Sequence, residues 1–130
     1  MEADFRVGNV LDLRGYSDDF FDFLLDGYCL HCIIGEDRKA FLASACRVLK
    51  KGGFFHIGTM CNEPGMVEGF DPKSRCTIHG GDIASRYIGL SEDILKEIRD
   101  AGFTVMDWEI IRSEDKDILQ EELLVECVKK

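Results

Sequence analysis

Phe20-Phe21-Asp22-Phe23-Leu24-Leu25 and, further along, Phe54-Phe55-His56-Ile57 are the two stretches whose reading decides the fold. The first is a nearly continuous apolar run, interrupted only by Asp22. Continuous rather than alternating hydrophobicity suits a central strand of a parallel sheet, covered on both faces. Between the two runs, Asp37 to Leu49 reads as an amphipathic helix, with Phe41, Leu42, Ala45, Val48 and Leu49 on one stripe. Glu36 and Asp37 suit its amino end, and Lys50 and Lys51 its carboxyl end. Gly52 and Gly53 are expected to supply a left-handed stop. Strand, helix, strand predicts two parallel neighbours in the middle of a helix-flanked sheet, and so an α/β domain.

Working outward, Phe5 to Val7 is expected to be a short strand entering a turn at Gly8-Asn9, with a polar, turn-rich stretch from Leu11 to Asp19. After Gly27, Tyr28 to Ile34 is expected as a short helix broken by Gly35. Downstream, Ser91 is placed as the cap of a second helix, whose stripe is Ile94, Leu95, Ile98 and Ala101 and which Gly102 ends. Phe103 to Ile111 and Glu122 to Val128 read as strands, and the short charged link from Arg112 to Asp117 favours an antiparallel pair. The segment Thr59 to Gly89 holds both prolines, Pro64 and Pro72, and shows no period. A loop of that length is expected to be a lid or substrate loop, here inserted in one domain covering residues 1–130.

Composition narrows the function classes. With 25 acids against 16 bases, the net charge of −9 disfavours a partner built of phosphates, so no nucleic acid is expected. No apolar run approaches the roughly 18 residues that span a bilayer, and no basic-then-apolar leader is present, so a cytoplasmic setting without a membrane partner is expected. The 6 cysteines, several inside apolar runs, are expected to be reduced thiols.

Three segments in order resemble the class I S-adenosylmethionine-dependent methyltransferases. Phe21-Asp22-Phe23-Leu24-Leu25 with Leu30-His31 is similar to their fourth strand and the turn after it. Arg47-Val48-Leu49-Lys50-Lys51-Gly52-Gly53 resembles the turn before their fifth strand, with Lys51 where proline is usual. Ala101-Gly102-Phe103 resembles the turn into the sixth strand, and Glu122 to Val128 the antiparallel seventh. Upstream, Gly8-Asn9-Val10-Leu11-Asp12-Leu13 is similar to the turn after the third strand. The resemblance therefore implies a Rossmann-like sheet, mainly parallel with an antiparallel last strand, whose first two strands have no counterpart here. Those strands carry a glycine loop, where backbone amides approach the cofactor closely, and an acid that grips the ribose hydroxyls. Without them, weak or absent affinity for S-adenosyl-L-methionine is expected.

The resemblance also implies roles. Asn9 stands where the family commonly has an aspartate accepting from the adenine amino group, and an asparagine oxygen accepts equally well. Val10 offers its amide and side chain to the ring. Asp26 and Gly27, with Leu30 just beyond, close the fourth-strand equivalent, where ligands of open α/β sheets bind. The ordinary alternatives are a turn residue for Asn9 and a helix cap for Asp26. His31 is a cleft-wall residue, or a general base where the acceptor needs deprotonation. His79, Arg86 and Tyr87 offer cationic and aromatic groups to a small-molecule acceptor. Cys29 and Cys32 are spaced like half a zinc site, but the remaining ligands would come from scattered Cys61, Cys76 and His79, so no metal is assigned and metal or metalloid binding is the least favoured reading.

Two functions follow. In one, the chain belongs to methyl transfer onto a small molecule. In the other, it is a noncatalytic protein that forms homo-oligomers through the exposed flank of the Phe20 to Leu25 strand.

Overall fold

The computed structural model describes residues 2–61, 76–80, 85–112 and 121–130. Strand β1 (Phe21–Gly27) leads through a 3-10 turn (Leu30–Cys32) to helix α1 (Asp37–Val48) and strand β2 (Leu49–Cys61). A hairpin follows, β3 (Cys76–Gly80) and β4 (Ser85–Gly89), then α2 (Ser91–Asp100), β5 (Phe103–Arg112) and β6 (Glu121–Lys129). The main sheet has the order β1-β2-β6-β5, and β3-β4 form a separate two-stranded sheet.

The two decisive stretches lie side by side and run the same way: Phe23 pairs with Phe54, Leu24 with Phe55 and Asp26 with Ile57. β6 returns antiparallel to β2, and β5 antiparallel to β6. Among the described residues the sheet is thus mixed, with one parallel pairing and two antiparallel ones. β1 is also not central: among the described residues it is an edge, with Phe23 and Leu25 more than half exposed. Its unbroken hydrophobicity suggested cover on both faces, but only one face is covered here.

Alternation along β2 and β6 sorts the two faces. Phe55, Ile57, Leu123, Val125 and Cys127 point to α1 and α2 and are essentially sealed. Phe41, Leu42, Ala45, Ile94, Leu95 and Ile98 meet them, so both expected helical stripes are in one core. Phe103 closes it edge-to-face on Phe55, ring centres 5.5 Å apart.

Several local expectations need correction. Phe5 to Val7 is not a strand; both ends are fully exposed, and among the described residues no strand offers it a ladder. Only Leu30–Cys32 of the expected Tyr28 to Ile34 helix forms, as a 3-10 turn. α1 ends at Val48 with Leu49 already extended, so the left-handed Gly52 (φ 77°) belongs to the irregular start of β2, not to a helix cap. Gly53 is required there, since a Cβ would sit 2.7 Å from the Lys50 carbonyl oxygen. The N-cap of α2 is Leu90, with Ser91 the first helical residue. Thr59 to Gly89 is not one irregular loop: Thr59 to Cys61 extends β2, and the β3-β4 hairpin occupies part of the rest. The period was hidden because β3 and β4 are only 5 residues each.

Candidate active site

Arg47 builds one wall of the site from the end of α1. Its guanidinium donates to the carbonyls of Asp12, Leu13 and Tyr16 and pairs with Asp18, fastening the turn-rich stretch to the helix. Ser44 adds a bond to the Leu11 carbonyl at 2.6 Å. Neither residue was singled out from sequence, although Arg47 lies in the quoted motif. Within the fastened stretch, the Asn9 side-chain oxygen accepts the Leu11 amide at 2.9 Å, and its carbonyl accepts those of Asp12 and Leu13. Asn9 is therefore the organiser of its own turn, as expected of asparagine at such a position.

The opposite wall is the carboxyl end of β1. Asp26, 5% exposed, accepts the amides of Cys29 (2.7 Å) and Leu30 (3.1 Å), one on each carboxylate oxygen. That is the capping role weighed as the ordinary reading. Burial pushes the Asp26 carboxyl above its usual range, and the two amide bonds work against that shift. Tyr28, between them, has φ 69°, an unusual conformation for an aromatic residue, which turns the chain sharply off the strand. Its hydroxyl donates to Glu122.

One cavity lies between these walls, and a second, sharing Val10 and Leu13 with it, is lined among the described residues by the stretch 6–16 alone. One, about 220 Å³, is lined by Val10, Leu24, Asp26, Gly27, Cys29 and Phe55, among others. The second, about 190 Å³, lies on the other side of Val10 and includes Asn9, Arg14 and Tyr16. The structure thus brings Val10 to Asp26 and Gly27 and leaves Asn9 in the neighbouring hollow. Leu30 is fully buried behind the wall, in the core. Leu24, Phe41 and Phe55, which sequence patterning marks only as core, supply the apolar lining. A larger groove of about 440 Å³ lies between α1 and α2, but its polar side chains are already committed, Glu97 to Arg38 and Asp100 to Lys96.

His31 sits beyond the end of β1, 6% exposed, where its Nδ1 accepts the Met60 amide at 3.3 Å. Burial, reinforced by Arg86 and Arg38, holds its pKa below the usual value. A neutral ring with Nδ1 engaged carries its proton on Nε2, so it presents a donor rather than a base. Of the hairpin residues, Tyr87 stacks on the Arg38 guanidinium (3.8 Å), which itself is buried and bonded to Glu97, Leu30 and Ile33. Arg86 is exposed and reaches Met60. His79 is opposite Arg86 in the ladder, and its side chain is outside the described residues, as is that of Cys76.

Residues 1–57 match the family model described as "Methyltransferase domain". No curated protein matches the chain. Among solved structures, it is similar to the Burkholderia thailandensis 1,6-didemethyltoxoflavin-N1-methyltransferase, determined with 1,6-didemethyltoxoflavin and S-adenosylhomocysteine bound. The TM-score is 0.73 at 19% identity, over 93% of this chain and 48% of that one. The [4+2]-cyclase SpnF gives a TM-score of 0.72 at 20% identity, covering 97% of this chain and 56% of that one. An S-adenosylmethionine-dependent methyltransferase from Methanosarcina mazei gives 0.79 at 14% identity, over 98% and 68%. The chain spans about half the length of the first two, and at these identities the likeness is one of fold. Residues 1–57 are thus similar to the methyltransferase domain family, and the chain carries the Rossmann-like fold seen in class I S-adenosylmethionine-dependent methyltransferases.

Proposed function

We propose that this protein serves methyl transfer from S-adenosyl-L-methionine to a small-molecule acceptor, in a cytoplasmic setting, with low cofactor affinity for the chain by itself. The observation that carries the reading is the shared cavity of Val10, Asp26 and Gly27 at the carboxyl end of β1, beside the one parallel pairing. Ligands of open α/β sheets bind at that end. The donor set fits part of the cofactor. Val10, Leu24 and Phe55 offer an apolar wall to a ring. Gly27 leaves open space, since a Cβ there would meet nothing within 4 Å. Asp26 keeps lone pairs on both oxygens after accepting its two amides, and these can take an ammonium group.

The cofactor supplies a methyl group already activated on a sulfonium, so the protein's part is to bind, orient and exclude water. Arg47 holds one wall, Asp26 orders the turn that forms the other, and His31 offers its Nε2–H to the acceptor. The stretch 59–89 is the acceptor segment in this reading, with Arg86 set on Met60 beside His31. SpnF, named for a cyclisation, has the same fold, so the reaction rests on the site and not on the architecture.

The test is titration with S-adenosylhomocysteine while backbone amides are followed by NMR. Millimolar-range shifts confined to residues 8–13 and 26–30 are expected. Shifts elsewhere only, or none, would end the proposal.

A second reading, a noncatalytic chain that self-associates through β1, is favoured by the exposure of Phe20, Phe23 and Leu25 on that flank. Light scattering at increasing concentration addresses it: Leu25→Lys should abolish any growth in mass, and a monomer at all concentrations removes the reading.

A further inference from the structure

Most described cations of this acidic chain have a carboxylate beside them: Arg38 has Glu97, Arg47 has Asp18, Lys50 has Asp22, Lys96 has Asp100 and Lys129 has Asp19. Arg86 does not. Among the described residues no carboxylate lies within 4 Å of it, and its polar contact is Nη1 to the Met60 sulfur at 4.0 Å. A thioether is a weak acceptor, which leaves the guanidinium's donors available. The same Met60 donates its amide to His31 Nδ1, so Arg86 and His31 meet on one residue at the carboxyl end of β2. With Nδ1 engaged, the His31 proton is on Nε2, and no acceptor for it is present among the described residues. A cation without an acidic partner and a ring N–H without an acceptor among the described residues thus meet at Met60, beyond the carboxyl end of β1.

We propose that Arg86 and His31 Nε2–H together hold a single carboxylate of the methyl acceptor, so that the enzyme acts on a monoanionic small molecule. The inference rests on the methyl-transfer reading for the word acceptor, but not for the binding of the anion. Charge-assisted donation from a planar guanidinium, joined by a neutral ring N–H, matches the two oxygens of a carboxylate. Glu122 is the acid on this patch and accepts from the Tyr28 hydroxyl at 3.0 Å. Its repulsion acts against a second negative group and restricts the site to one. One face of the Tyr87 ring is taken by Arg38, and the proposed site does not draw on it.

The experiment is a parallel NMR titration with benzoate and with benzamide, which share size and shape but differ in charge, following the Met60 amide and the His31 ring. Benzoate should shift both signals in a saturable way, and benzamide should bind about tenfold more weakly, the order expected for hydrogen bonds to a charged group. Arg86→Gln should remove the difference and Arg86→Lys should retain part of it. Arg99→Gln, which removes an exposed cation of α2, should leave it intact. Equal response to the two probes, no response to either, or an undiminished preference in Arg86→Gln overturns the proposal. Because S-adenosylhomocysteine is titrated separately, loss of cofactor binding with benzoate binding intact would sink the methyl-transfer reading alone.

Discussion

The two faces of the same sheet behave as different materials. On β2, Phe55 and Phe54 are adjacent in sequence and identical in chemistry, yet one is 2% exposed and the other 37%. Phe55 points to α1 and α2. Phe54 points to a face on which Phe23 stacks against it at 5.8 Å, with Leu25 beside them 66% exposed. Among the described residues no helix covers that face. Hydrophobicity therefore identifies a strand, while cover decides what each of its side chains is worth.

Truncation tests that contrast most strongly. Phe55→Ala should cost about 3–5 kcal/mol, the range for emptying a packed aromatic site. Phe54→Ala should cost about 1 kcal/mol, since much of that ring is already wet. Urea midpoints for the two variants check this, and equal losses would mean the open face is covered in solution. Next in size is Arg38, which is on the covered side and ties α1 to α2, the 3-10 turn and β4. Arg38→Ala should cost about 3 kcal/mol, as expected when one member of a buried pair is removed. Protease cleavage near β4 should rise with it. A loss below that of Phe54→Ala would show the network to be solvated.

Smaller effects follow from the cysteines. Cys127 is on the covered face and donates to the Phe55 carbonyl, and burial pushes its thiol up to about 12. A raised thiol pKa means that the folded state holds the proton more tightly than the unfolded one. Its contribution is complete below the ordinary value of 9.0 and is lost as pH climbs toward about 12. Unfolding midpoints should therefore fall over that alkaline window, and Cys127→Ala should flatten the fall. Exposed Cys32 should take iodoacetamide in the native protein while Cys127 does not. Rapid labelling of Cys127 would mean the core opens easily.

Much of the frame was legible in the residues. The pairing of Phe20–Leu25 with Phe54–Ile57 followed from a strand, helix, strand pattern with a short return, for which parallel neighbours are the regular solution. The helical stripes were read correctly because a period of 3.6 marks one buried face whatever that face meets. The site was legible in part. Asp26 and Gly27 could be placed because a strand's carboxyl end is a matter of chain direction. That Asn9 spends its oxygen on its own turn, or that Arg47 reaches back to fasten that turn, involves partners whose distance in sequence follows no period.

What the sequence determined by itself was the set of elements, their polarity and the acidic balance, all consequences of local spacing and composition. Tertiary structure alone decided which strand became an edge, which phenylalanine was sealed, and which tautomer His31 adopted. It also decided that Arg38 takes Tyr87 and Glu97, and that Arg86 has no acidic partner among the described residues. Burial and hydrogen-bond pairing are properties of what lies across space, and one-dimensional order does not carry them.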